Sequence, residues 1–164
     1  MSDTTTQSLL DHPPVFDTRQ PRLNHVAMSL PADMLDEDHR AQLTDFYTRV
    51  FGFTEYEQLT DDRHRLVFGA YNPEQFMFLI ADEPHMTTAR LDHFGMSVGS
   101  MAELDHLLAR CEAYKAQDSR VEIIDKHVDD YGMVKLWSFY VRFLLPLMIE
   151  IQFFEFVKPD GSSA

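Results

Sequence analysis

Cysteine is nearly absent: Cys111 is the only one in 164 residues. A single thiol excludes an internal disulfide and any thiolate metal cluster, and it fits a reducing compartment. It sits inside a helical pattern with nothing local to activate it, so it reads as a buried spectator rather than a nucleophile. Basic residues are scarce too, with 14 Lys and Arg against 27 Asp and Glu and a formal net charge of −13. That balance lacks the positive field that a phosphate backbone or an anionic membrane surface requires, which excludes nucleic acid as a partner. Acidity of this kind serves solubility and identifies no substrate. Long apolar runs are missing, since the longest, Phe143 to Ile149, is closed by Arg142 and Glu150. Neither a membrane span nor an N-terminal signal segment is expected, and the protein reads as soluble and cytoplasmic.

What the chain does have is apolar and aromatic content, 45% hydrophobic residues with 13 Phe, 6 Tyr and 9 Met, enough for a folded core. Residues 1–20 mix Ser, Thr, Asp, Gln and Pro without periodicity and are expected to form a flexible arm that includes His12; 158–164 reads as a flexible tail. The folded unit is therefore 21–157. Within it, Arg22-Leu-Asn-His-Val-Ala-Met-Ser-Leu30 recurs as Arg90-Leu-Asp-His-Phe-Gly-Met-Ser-Val98, identical at five of nine positions. Such recurrence marks a duplicated supersecondary unit, with module one at about 21–83 and module two at about 89–157. Each copy opens on alternating apolar residues, as a short strand does, and a helix follows. Leu43, Phe46, Tyr47 and Val50 share one helical stripe that ends before Gly52; Ser100-x-x-Glu103 is a capping box ahead of Leu104, Leu107, Leu108 and Cys111. Strand-like stretches follow at 53–59, 65–70 and 76–81, then at 121–126, 134–143 and 147–156. The fold class is α+β, built from two βαβββ modules.

Three side chains carry the chemistry. His25 and His93 occupy the same place in the two repeats, and a duplicated fold brings equivalent positions together about a pseudo-two-fold axis. Paired imidazoles there suit a divalent metal. Glu150 lies among apolar neighbours on what reads as a central strand, where a carboxylate is costly unless it meets a cation. Its alternative partners are Arg142 and Lys135. Glu155 reads as solvated, His39, His64, His85 and His106 as surface, and Trp137 as a wall or interface residue.

The two Leu-x-His strands, Asp45-Phe-Tyr-Thr-Arg-Val-Phe-Gly-Phe53, and Phe139-Tyr140 with Glu150 ten residues after the tyrosine resemble the vicinal-oxygen-chelate superfamily of glyoxalases, bleomycin-resistance proteins and extradiol dioxygenases. The resemblance spans about 21–156. It implies modules that form a cupped mixed sheet around one divalent metal, with His25, His93 and Glu150 as ligands. The fourth ligand position falls near Met77 or Phe78, where no donor exists. Two His and one carboxylate leave several positions open, the pattern that the resemblance gives to ring-cleaving dioxygenases and to thiol transferases of the fosfomycin-resistance type, and Fe(II) suits the former; Mn, Ni, Zn or Co are the other candidates. The resemblance thus implies a metal-dependent enzyme with extradiol dioxygenase-like chemistry on a small aromatic or apolar vicinal diol. The alternatives are a lyase, isomerase or thiol transferase with a non-iron metal, and a metal-free drug-sequestering protein. The signature's histidine before Phe-Tyr is missing. Tyr140 and His127 are the candidates for general acid/base, with His127 expected in an exposed turn. A homodimer is expected from the resemblance.

Overall fold

The computed structural model describes residues 21–157; the expected arm and tail lie outside them. The first repeat gives β1 (His25–Leu30), α1 (Glu37–Phe51), β2 (Thr54–Glu55), β3 (Arg65–Gly69) and β4 (Phe76–Ala81). The second gives β5 (His93–Ser97), α2 (Met101–Lys115), β6 (Glu122–Asp130), β7 (Val134–Arg142) and β8 (Met148–Phe156). Both repeats are βαβββ, and each closes its own four-stranded mixed sheet, β1-β4-β3-β2 and β5-β8-β7-β6. In each, the first strand runs parallel to the last and the remaining pairs are antiparallel. The first strands, β1 and β5, are sheet edges.

Local chemistry explains the helices. Asp36 caps α1 by accepting from the His39 amide at 3.0 Å, and Gly52 ends it in the left-handed region at φ 74°, where a side chain would clash with its own backbone. Ser100 caps α2 by accepting from the Glu103 amide at 3.2 Å, while the Glu103 carboxylate reaches past it to the Gly99 amide at 2.7 Å. The stripe of α1, Leu43, Phe46, Tyr47 and Val50, is fully buried. Each such side chain contributes roughly 1.5–3 kcal/mol by leaving water. On α2 the inward residues are Leu104 and Cys111, with Leu107 and Leu108 half-buried. Burial pushes the Cys111 thiol up to about 12, which keeps it protonated and inert.

One core serves both repeats. The Phe46 ring lies 4.7 Å from Phe143 and 4.9 Å from Tyr114 between ring centroids, so module one packs directly on module two. The buried Tyr47 hydroxyl donates to the Phe143 carbonyl at 3.1 Å.

Two expectations change. The strand expected at 53–59 shrinks to Thr54–Glu55, and 57–59 is a 3-10 turn. Past Tyr56, whose amide still bonds the Val67 carbonyl at 2.8 Å, the backbone turns in on itself: the Leu59 and Thr60 amides donate to the Tyr56 carbonyl and leave the ladder with β3. His127 does not lie in a turn. It belongs to β6, which runs on to Asp130 through a bulge between Ile124 and His127.

Candidate metal centre

The sheet register defines the site. In module two His93 pairs with Met148 and Gly95 with Glu150; in module one His25 pairs with Phe76 and Ala27 with Phe78. Phe78 therefore stands where Glu150 stands in the other repeat, which fixes the missing fourth donor at that residue.

Glu150 is 5% exposed, one of two buried polar or charged residues among those described. Its partners are not Arg142, which is paired with Glu122. The His93 Nε2 lies 3.3 Å from a Glu150 carboxylate oxygen that also accepts from the Gln152 amide at 2.7 Å. Tyr140 faces Glu150 across β7–β8; partial burial, then hydrogen bonding to that carboxylate and its charge, push the phenol up to about 12, so Tyr140 keeps its proton at neutral pH. The His93 ring stands edge-on to Tyr140 at 5.1 Å, and the His127 ring lies parallel to it on the other side at 5.9 Å. Lys126 is thrown to the opposite face by the bulge and pairs with Asp105 of α2.

His25 does not join this group. Its ring stacks on Phe76 at 4.8 Å, and among the described residues no three His, Cys, Asp or Glu side chains approach closely enough to hold a cation. Of the three expected ligands, His93 and Glu150 meet within one chain and His25 stands apart from them. The physical reason is that each repeat closes its own sheet, and β1 and β5 share no ladder.

The donors nonetheless fit a metal. His93 Nδ1 lies 2.8 Å from the Leu91 carbonyl and His25 Nδ1 lies 2.8 Å from the Asn24 side-chain oxygen. A proton on Nδ1 leaves Nε2 free to ligate, the arrangement that orients imidazole ligands. At His93 that nitrogen lies beside a carboxylate oxygen, a pair of donors suited to a divalent cation.

Sequence reasoning passed over Ser138 and Gln152. Both were within reach of a period-two reading, being two residues from Tyr140 and Glu150 on neighbouring strands. They face each other in register. Glu155, expected in solvent, accepts from the Trp137 indole at 2.8 Å.

The sequence matches the family model of the Glyoxalase/Bleomycin resistance protein/Dioxygenase superfamily over residues 22–135. The chain belongs to this superfamily. Its fold is that of a lactoylglutathione lyase from Agrobacterium tumefaciens, at 18% identity and TM-score 0.58, covering 82% of this chain and 95% of that one. The fosfomycin resistance protein FosX from Listeria monocytogenes aligns at 16% identity and TM-score 0.55, covering 82% and 93%. A glyoxalase/bleomycin resistance protein/dioxygenase from Alicyclobacillus acidocaldarius aligns at 14% and 0.56, covering 83% and 94%. At such identities the superfamily fold is shared and nothing finer follows. No curated protein matches the chain. No helix among the described residues is long and apolar enough to cross a membrane.

Proposed function

We propose that this superfamily member is a metal-dependent enzyme whose site is completed between two copies of the chain, His25 of one facing His93 and Glu150 of the other. The observation that carries this reading is the His93 Nε2 set 3.3 Å from a buried carboxylate, with the same Nδ1 tether repeated at His25. Both histidines stand on edge strands, whose open sides are the natural seam between two copies. A divalent cation held there would supply Lewis acidity and neighbouring open positions for two adjacent oxygens of a small substrate, Fe(II) suiting ring opening with dioxygen.

The chain's own residues account for the remainder. Phe78 offers no oxygen, so the ligand set stays at three. Tyr140 holds a proton next to His93 and Glu150 and can donate it to an anion forming on the substrate. Met148, Ile124 and Leu136 lie on the same sheet face by register and alternation, and Phe154 and Phe156 continue it at 42% and 38% exposure. That lining favours a substrate with an aromatic or apolar body, and ring-cleaving dioxygenase-like chemistry is the first reading. A lyase, isomerase or thiol transferase with Mn, Ni, Zn or Co is the second. It is favoured by Arg142, on the same face two residues from Tyr140, which suits an anionic substrate group.

Elemental analysis of protein purified without chelator is the test, with His25→Ala, His93→Ala and Glu150→Ala alongside. About one metal per chain is expected in the wild type and a small fraction of that in each folded variant. Mixing the His25→Ala and His93→Ala chains under subunit exchange should restore about a quarter of the sites, because half the dimers are mixed and each has one intact site of two. Wild-type protein that stays metal-free after anaerobic reconstitution would turn the reading to a metal-free binding protein. Variants that each lose the metal and never complement would return the site to one chain.

A further inference from the structure

One row of residues across each sheet is equivalent between the repeats. In module two Glu122 pairs with Arg142, the step after the Val141–Ile149 pair sets Arg142 against Met148, and Met148 pairs with His93. In module one the same row reads Thr54, Gly69, Phe76 and His25. That ladder closes with no charge at the first two places, so the fold does not require an Arg142–Glu122 pair. Residues in register share a face, and neighbouring strands are about 4.8 Å apart, so the Arg142 backbone stands roughly 10 Å from that of His93 on the same face.

The pair is also unbalanced. Glu122 accepts from Arg142 and, at 3.0 Å, from Nε of Arg90, three residues before His93. In module one the counterpart of Arg90, Arg22, pairs with a carboxylate of its own, Glu74, at 2.9 Å. Among the described residues neither Arg90 nor Arg142 pairs with a second carboxylate, and Arg142 Nη1 has only the Pro146 carbonyl at 3.4 Å. Two guanidiniums sharing one carboxylate leave a net positive charge beside His93, on a chain whose formal charge is −13. The Arg142 side chain is 27% exposed and that of Arg90 64%, so both forks can be reached by a solute.

We propose that Arg142 and Arg90, bridged by Glu122, form a subsite for a carboxylate carried on the aromatic or apolar body of the substrate. The proposal rests on the reading of the His93–Glu150 face as the substrate site, and it narrows the substrate to a monoanion. A planar guanidinium matches a carboxylate with two parallel hydrogen bonds, which a point charge cannot do. One net positive charge balances a carboxylate and leaves a dianionic phosphonate half uncompensated. Arg142 and Arg90 are thus specificity-determining residues, and Glu122 holds the two forks side by side.

The test has two arms. In the metal-free protein at about pH 7, where carboxylate and guanidinium are both charged, nitrogen-15 NMR follows the arginine Nε–H groups as phenylacetate, its neutral amide or benzylphosphonate is added. Phenylacetate is expected to shift the Arg142 and Arg90 signals saturably, and the amide to shift neither. Arg142→Gln and Arg90→Gln should each weaken phenylacetate about tenfold; Arg90 is exposed, so its variant keeps the fold. No shift with phenylacetate, or tighter binding of the phosphonate, overturns the proposal. With Co(II) bound, the visible spectrum reads chelation of methylcatechol and of dihydroxyphenylacetate, which differ by a carboxylate. The carboxylate form should bind about tenfold more tightly to the wild type and no more tightly than methylcatechol to Arg142→Gln. A preference equal in wild type and variant overturns the link between this subsite and the chelated oxygens. Should the protein bind no Co(II), the metal reading falls and the metal-free arm still decides the carboxylate subsite.

Discussion

Glu122 takes hydrogen bonds from two guanidiniums, Arg142 and, at 3.0 Å, Arg90. The Arg142 bond leads in holding its carboxyl below the usual carboxylate range, against a smaller desolvation effect that raises it. A folded-state value below the unfolded one means that the pair stabilises the protein above the ordinary value of 4.5 and stops doing so as acid titrates the folded carboxylate. Glu122→Gln is therefore expected to lower stability by about 0.5–1 kcal/mol at pH 7, with the gap to the wild type closing as the pH falls below that value. Urea melts at pH 7 and at about pH 3 check it; a gap that widens in acid would refute the assignment. The same pair removes Arg142 as a partner of Glu150. One residue's register is equally decisive at Phe78, which was narrowed only to 77 or 78 by the sequence pattern and which the ladder with Ala27 identifies.

At the scale of elements, the helices were written in local code. Gly52, the Ser100-x-x-Glu103 box and the apolar stripes gave their place because capping and helical periodicity are properties of neighbouring residues. Gly52→Ala forces a Cβ into the left-handed region at φ 74° and should cost about 1 kcal/mol, read as a fall in thermal midpoint with unchanged far-ultraviolet circular dichroism. An unchanged midpoint would mean that the helix ends by another route. The strands were less legible. The truncated β2 ends where the Leu59 and Thr60 amides turn back onto the Tyr56 carbonyl, and the reach of β6 depends on a bulge that only its pairing with β7 reveals. His127 was read as a turn residue because Asp125-Lys-His-Val-Asp-Asp130 is polar. It is polar since β6 is an edge strand whose outer half faces water.

For the whole molecule, the repeats are joined by aromatic packing rather than by a shared sheet. Phe46 touches Phe143 and Tyr114, and Tyr114 donates to the Asp45 carboxylate at 2.8 Å across the two helices. Phe46→Ala removes the centre of this contact and should cost about 3–5 kcal/mol. Because the core is continuous, both modules should still melt in one transition, by calorimetry and by tyrosine fluorescence alike. Two separated transitions in the variant would show that Phe46 alone couples the modules.

The sequence by itself determined the duplication, the βαβββ order of each module, the two helices, and the equivalence of His25 and His93 at the starts of β1 and β5. These are carried by identity at equivalent positions and by local periodicity, which need no knowledge of what packs where. Only the tertiary structure decided that His93 meets Glu150 while His25 stands apart, that Phe78 is the register equivalent of Glu150, and that the His127 ring lies against Tyr140. Each of those depends on strand register and on which edge pairs with which. A ladder can slip by one residue without changing the pattern of the strand itself, so register is written in the partner strand and not in the segment being read.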